Sequence, residues 1–278
     1  MEQLAGKIGV VTGGASGIGK ALAAALIAQG MQVVISDVQA DRLQATADEI
    51  GALAIPADVS RADEVEALAQ AVKARFGAVH LLCNNAGVGP MARLSELTLN
   101  DWRWLIDVNL WGVIHGVTAF LPILRENDDG GHIVNTASMA GLMPVPSPVS
   151  YCASKYAIVG MSEAMAYDLA AEGGKVGLSI LCPGPVRTDL GSSTRNRPAE
   201  LAGGLTDVLL EDSVQFEDAP IDWLSAEATA DLVVRAIKGN ELYVITHPGM
   251  LGEVEARHRA VEQAFHVESA RRAGGQGA

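Results

Sequence analysis

Short, nearly unbroken apolar runs alternate along the chain with stretches whose apolar residues recur at helical spacing. The runs Ile8–Val11, Gln32–Asp37, Leu53–Ala57, Val79–Cys83, His132–Ala137, Val176–Cys182 and Leu242–Thr246 read as strands. Lys20–Gln29, Ala40–Ile50, Asp63–Phe76, Asn100–Leu124, Val149–Glu172 and Ala226–Lys238 read as the helices between them. In the third of these, Val65, Leu68, Val72 and Phe76 share one face, the periodicity of a helix with one buried side. Gly30, Gly51, Gly77 and Gly173-Gly174 mark helix ends, and Ser225 is placed to cap the helix from Ala226. Pro122 is expected to bend or end the long helix that contains it. Strands apolar at consecutive positions are buried on both faces. Alternating with helices, they predict an α/β fold: a doubly wound parallel sheet of seven strands with helices on both faces.

The length of 278 residues suits one such domain. Two segments break the rhythm. One is 187–225, a candidate lid inserted in a domain spanning 1–248; the other is 249–278, a helical extension with a loose end. With 49% hydrophobic and 19% charged residues the chain has ample material for a core, which excludes a disordered protein. A net charge of −13 disfavours nucleic acid and anionic membrane surfaces as partners. Ten acids and two bases lie between Asp189 and Asp231, so that stretch carries −8 of the total. This favours an uncharged substrate beneath the lid. The longest charge-free run, His132–Ser154, contains Asn135, Ser138 and three prolines and does not read as a membrane span. The N-terminus carries no basic, cleavable leader pattern, so a cytoplasmic location is expected. Cys83, Cys152 and Cys182 form no CxxC pair and the six histidines share no ligand spacing, so no metal site is expected.

The run Thr12-Gly-Gly-Ala-Ser-Gly-Ile-Gly19 joins the first strand to the first helix. Gly13 and Gly17 allow a tight turn close to a pyrophosphate, and Gly19 allows the helix to pack on the strand, with Ser16 and Ile18 between them. The helix N-terminus offers unbonded N–H groups to the phosphates. Asp37 ends the second strand 18 residues after Gly19 and is followed by Val38 rather than a base. A carboxylate there binds both ribose hydroxyls and repels a 2′-phosphate, so NAD is expected in preference to NADP.

That glycine run, Asn84-Asn85-Ala86-Gly87, Asn109, Ser138 and Tyr151-Cys-Ala-Ser-Lys155 follow one another in this order. With them the chain resembles the short-chain dehydrogenase/reductase family over about residues 6–246. The resemblance implies a Rossmann-like fold and hydride exchange between nicotinamide and an alcohol or ketone. The residues fit that chemistry. A phenol with pKa near 10 is a poor base at neutral pH. Lys155, one helical turn after Tyr151, supplies a charge that stabilises the phenolate; the required shift is about 4 kcal/mol. Ser138, just past a strand, can hydrogen-bond the substrate oxygen. By resemblance, Lys155 also binds the nicotinamide ribose and Asn109 holds a relay water. Likewise Asn85, Ala86 and Gly87 face the adenosine half, Asp58 and Val59 contact adenine, and the loop with Pro183, Gly184, Val186 and Thr188 covers the nicotinamide.

Met91, Ala140, Met143, Val145, Leu190 and Leu209 are the candidate substrate wall, an apolar set suited to a hydrophobic or aromatic secondary alcohol or ketone. Trp102, Trp104 and Trp111 read as core and interface anchors of the long helix rather than as a cofactor box. The ending after the last strand is similar to that of family members that oxidise benzylic alcohols in lignin-derived aryl ethers. The two longest helices carry apolar surface that suits a homodimer or homotetramer. A diol dehydrogenase, a 3-ketoacyl reductase of the same fold, and a silent NAD-binding sensor are the alternatives. A basic docking patch and an NADP-type second strand end, expected of an acyl-carrier reductase, are not visible. The intact set Asn109, Ser138, Tyr151 and Lys155 counts against a sensor.

Overall fold

Seven parallel strands hydrogen-bond in the order β3-β2-β1-β4-β5-β6-β7. They are β1 (Ile8–Thr12), β2 (Gln32–Ser36), β3 (Leu53–Ala54), β4 (Leu81–Asn84), β5 (Gly131–Thr136), β6 (Val176–Cys182) and β7 (Tyr243–Ile245). The helices are α1 (Gly17–Ala28), α2 (Ala40–Ile50), α3 (Ala62–Phe76), α4 (Leu99–Ile106), α5 (Gly112–Glu126), α6 (Val149–Ala171), α7 (Ala226–Gly239) and α8 (Leu251–Gly275). The computed structural model describes residues 1–146, 148–208 and 222–275. The strand order reverses between β1 and β4, and in open α/β sheets ligands bind at such a switch point, beyond the strands' carboxyl ends.

The sheet separates two cores. On one side α1 and α7 pack Leu22, Leu26, Val233 and Ile237 against Val11, Ile35 and Leu181. On the other, Val65, Leu68 and Val72 of α3 meet Phe120, Ile123 and Leu124 of α5 over Val10, Leu82 and Ile133. All of these are buried side chains, each contributing roughly 1.5–3 kcal/mol when fully withdrawn from water. Both faces of the sheet are covered, which is why strands β1 and β4 are buried at every position.

Three features differ from the sequence expectation. The strand expected at Leu53–Ala57 is reduced to Leu53–Ala54, the two residues in ladder register with β2; beyond them single N–H bonds run from Ile55 to the Ile35 carbonyl at 3.0 Å and from Ala57 to the Asp37 carbonyl at 3.4 Å. The expected helix from Asn100 to Leu124 is two helices joined by a π turn, Asp107–Trp111, where the Gly112 N–H bonds the Asp107 carbonyl. Pro122 does not end α5, which runs through it to Glu126. By length and composition Leu99–Glu126 could cross a bilayer; here the α5 part faces α3 across the second core. The Ser225 cap is as expected, its hydroxyl accepting the Ala228 N–H at 3.1 Å.

Beyond β7, α8 leaves the body. Its residues from Leu251 to Ala273 are exposed except Val254, which is half-buried. Val254 and Met250 pack on the Ile158–Ile180 cluster, and the Arg257 guanidinium sits 5.5 Å from the Tyr156 ring centroid.

Candidate active site

The glycine turn at the end of β1 is shaped by close backbone approaches. A Cβ on Gly13, where φ is +65°, would fall 2.7 Å from the Ala86 Cα; one on Gly19 would fall 2.2 Å from the Gly13 carbonyl oxygen. Both distances are far inside contact, so these positions require glycine. Thr12 locks the turn to the end of β4. Its hydroxyl accepts the N–H groups of Asn85 and Ala86 at 3.0 and 3.1 Å. The Asn85 amide donates to the Thr12 carbonyl at 3.0 Å. Ser16, the N-cap of α1, makes no side-chain capping bond, so the first N–H groups of the helix stay open to an anion. The role of Thr12 has no local sequence signal, because its partner lies 73 residues away.

Asp37, at the end of β2, accepts the N–H of Ala15 at 3.3 Å and of Gln39 at 3.0 Å. Asp58 accepts the N–H and hydroxyl of Ser60 at 2.9 and 2.7 Å. Gly13, Ser16, Gly17, Ile18, Asp37, Asp58 and Val59 line one end of a single cleft over the strand ends. Asn85, Ala86 and Gly87 line its middle. Gly19 lies under the turn rather than on the cleft wall.

Ser138, Tyr151 and Lys155 line the same cleft. Ser138 follows β5 and caps a short 3₁₀ turn, its Oγ accepting the Ala140 N–H at 3.1 Å and donating to the Pro183 carbonyl at 3.3 Å. Tyr151 and Lys155 stand one turn apart on α6. Lys155 is 4% exposed; its Nζ donates to the Thr136 carbonyl at 2.9 Å and sits 5.4 Å from the Tyr151 ring centroid. Burial pushes the Tyr151 phenol up to about 12, while a hydrogen bond with Ser138 pulls the other way. Burial pushes the Lys155 ammonium down to about 8. Each shift disfavours the charged form, the signature of a dry pocket.

Asn109 sits in the π turn, fully buried. Its side chain exchanges two hydrogen bonds with the Val88 backbone, accepting the N–H at 2.8 Å and donating to the carbonyl at 3.0 Å. It lies just behind the cleft wall, where an added Cβ on Gly87 would meet Asn109 Oδ1 at 3.3 Å and Lys155 Nζ at 3.8 Å. π turns concentrate at functional positions because one extra residue re-aims the side chains around it.

Pro183, Gly184, Val186 and Thr188 also line the cleft. Their loop is held by Thr246 and His247, past β7. The Gly184 N–H donates to Thr246 Oγ1 at 3.0 Å and to His247 Nδ1 at 3.2 Å. His247 Nε2 donates to the Asp222 carbonyl at 2.7 Å, which makes Nδ1 the accepting nitrogen. His247 is 4% exposed.

The segment after Val186 leaves and returns at one place, since Arg187 and Leu224 pair through Val186. It crosses the cleft from side to side. On the α2 side Arg42 pairs with Asp189 at 2.7 Å, and Arg195 Nε donates to Gln39 Oε1 at 3.3 Å. On the α4 side Pro198 and Leu201 reach the cleft beside Trp104.

Of the candidate substrate wall, Leu190 lines the cleft and Leu209 lies outside the described residues. Met91, Ala140, Met143 and Val145 do not line it. Met91 is engaged in an antiparallel bridge with Thr206, and Met143 faces a groove under α8. Trp104, Pro198 and Leu201 were missed as wall residues. Trp104 was placed in the core, and it is 2% exposed there while one edge meets the cleft.

The short chain dehydrogenase family model matches residues 7–199. The chain belongs to the short-chain dehydrogenase/reductase family. It is 32% identical over 277 residues to a CLA biosynthesis dehydrogenase/reductase of Lactiplantibacillus plantarum, covering 94% of this chain and 95% of that one. Among solved structures, it is 40% identical to a family member from Burkholderia phymatum in complex with NAD, with a TM-score of 0.87, covering 95% and 97% of the two chains. The apo form of LigD from Sphingobium sp. strain SYK-6 is 26% identical with a TM-score of 0.77, over 94% and 97%. The family makes this protein an oxidoreductase with a nicotinamide cofactor.

Proposed function

We propose that the protein exchanges a hydride between NAD and a hydrophobic or aromatic secondary alcohol or its ketone. The observation that carries this is one cleft holding Ser138, Tyr151 and Lys155 at one end and the glycine turn with Asp37 at the other. The cleft fits the cofactor. The space above Gly13 and Gly17 and the open N–H groups of α1 suit a pyrophosphate. Asp37, with no base beside it in sequence, suits ribose hydroxyls and repels a 2′-phosphate. When bound, NAD supplies the hydride acceptor. In our reading the 183–188 loop covers the nicotinamide, Asn85, Ala86 and Gly87 face the adenosine half, and Asp58 and Val59 border adenine.

In alcohol oxidation Tyr151 takes the hydroxyl proton as phenolate; in ketone reduction it returns it. Lys155 keeps the phenolate accessible by its charge, against the burial that opposes it. Ser138 orients the substrate oxygen. Asn109 holds a water that relays protons between Lys155 and solvent. Trp104, Leu201 and Leu190 offer an apolar wall, and Asp58, Asp107 and Asp189 around the cleft favour a neutral substrate. We place residues 1–248 in the catalytic domain with 187–225 as its lid and 249–278 as an extension, in a cytoplasmic homo-oligomer. A panel of secondary alcohols including 1-phenylethanol and 2-butanol, followed by NADH absorbance, tests the reading. We expect 1-phenylethanol to be oxidised with NAD; NAD binding without turnover of any alcohol or ketone would overturn it.

A further inference from the structure

The α4 end of the lid is fastened by a carboxylate with no exposed surface. Asp101 is 0% exposed. Its Oδ2 accepts the Thr98 N–H at 2.7 Å, the Thr98 hydroxyl at 2.8 Å and the Gly204 N–H at 2.9 Å. Its Oδ1 accepts the Leu205 N–H at 3.1 Å, and Arg197 Nη2 lies 2.6 Å from the same oxygen. The Thr98 contacts are a capping box and serve the helix. Gly204, Leu205 and Arg197 belong to the lid, and no helix end needs them. Burial alone would raise the Asp101 pKa, yet the N–H donors of Thr98, Gly204 and Leu205 hold it well below the usual carboxylate range.

The backbone is shaped for this approach. A Cβ on Gly203 would lie 2.4 Å from Asp101 Oδ1 and 2.6 Å from Arg197 Nη2; one on Gly204 would lie 2.2 Å from the Glu96 carbonyl oxygen. Arg197 is 8% exposed, its guanidinium 5.2 Å from the Trp104 ring centroid and its Nε donating to the Leu201 carbonyl at 2.6 Å. Trp104, Leu201 and Leu205 pack in one apolar cluster that includes Tyr151. The charges therefore hold the side chains that stand beside the phenol.

We propose that Asp101 and Arg197 are positioning residues that fix the substrate wall formed by Trp104 and Leu201, and so set the enzyme's preference for bulky over small alcohols. This rests on the reading of Tyr151 as the proton-transferring group. The wall is built from two segments far apart in the chain, and neither holds its place without the other. Losing the pair frees residues 197–205 from α4 and lets the wall recede, which weakens a substrate that touches the wall. A small alcohol, bound at Ser138 and Tyr151 alone, is hardly affected.

The test uses the full chain, with NADH bound for amide exchange and NAD supplied for alcohol oxidation. Amide hydrogen exchange of the 199–206 segment is measured in Arg197→Met, Asp101→Asn and Gly203→Ala. Exchange is expected to rise about tenfold or more there and to stay unchanged in the glycine turn. In the same variants KM for 1-phenylethanol is expected to rise about tenfold and KM for 2-butanol by less than about threefold, with Arg197→Lys partly restoring the first. Arg197→Met leaves the capping box intact and carries the test if Asp101→Asn or Gly203→Ala does not fold. Unchanged exchange in the lid overturns the anchor, whether or not either alcohol turns over. Faster exchange with equal effects on both KM values overturns its link to substrate choice. Failure of the unsubstituted enzyme to oxidise any alcohol would instead count against the substrate reading.

Discussion

At the glycine turn the cleft is shaped by backbone: Gly13 against Ala86, Gly19 against Gly13, N–H groups of α1 facing out. At the Tyr151 end it is shaped by side chains drawn from β5, α4, α6 and the lid. The first half is one strand–turn–helix unit held by Thr12 and Gly13 against the residues after β4. The second is assembled from distant segments by hydrogen bonds such as those of Asp101, Asn109 and His247. Binding and chemistry should therefore separate under mutation, the first half governing affinity for NAD and the second turnover and substrate choice.

The sharpest way to break that contrast is Tyr151→Phe. We expect turnover to fall by about a thousandfold or more while NAD affinity, read by NADH fluorescence titration, stays within about twofold. Equal losses in both would show that the two halves are not independent. Gly19→Ala should do the reverse. Its Cβ would collide with the Gly13 carbonyl, so NAD affinity should fall by about tenfold or more, and a melting curve should show about 1–3 kcal/mol of lost stability.

A smaller effect probes the ribose end. Asp37→Ala removes the carboxylate that accepts two backbone N–H groups. The ratio of kcat/KM for NAD to that for NADP should shrink about tenfold; an unchanged ratio would contradict the assignment. The smallest expected shift concerns pH. Oxidation uses the phenolate, so its rate rises with pH as Tyr151 ionises. Burial already pushes this phenol up to about 12 and Lys155 down to about 8. Removing the cation in Lys155→Met should move the rising limb to higher pH by about one unit or more. A profile that stays in place would mean that Lys155 does not act on the phenol.

The two halves were also unequally legible. The strand and helix pattern revealed the sheet because both-face burial leaves runs of Val, Ile and Leu that no turn interrupts. The glycine turn was readable because its glycines fall within eight residues of sequence, although what Gly13 packs against, Ala86, lies far along the chain. Leu53–Ala57 is apolar throughout and packs on the core, but the ladder with β2 covers only its first two residues. The π turn went unread because a one-residue shift of apolar phase is lost among the many apolar residues of so long a segment. Trp104 read as core, which its burial supports, and nothing in the pattern showed that one edge meets the cleft. Gly184 and His247 are 63 residues apart, and Asp101 and Gly204 are 103 apart; spacing carries no signal for contacts of that kind. Met91 and Met143 were apolar residues in plausible loops whose contacts lie elsewhere, with Thr206 and with α8.

The π turn at Asp107–Trp111 has a consequence for how this gene can change. An α-helix turns by about 100° per residue, and the wider turn absorbs one residue without breaking the rod. Deleting one residue between Asp107 and Trp111 would leave a continuous, well-bonded α-helix, so a helix content measurement would register almost nothing. Because the wide turn takes up its extra residue within one turn, the segments before and after it would keep nearly the same relative phase. Trp104 and Asp101 would still face the lid, and Phe120, Ile123 and Leu124 the core. The cost would fall on the turn itself, where Asn109 would lose the placement that lets its side chain bond both backbone groups of Val88; the helices could close up without the extra residue, but the catalytic cleft could not.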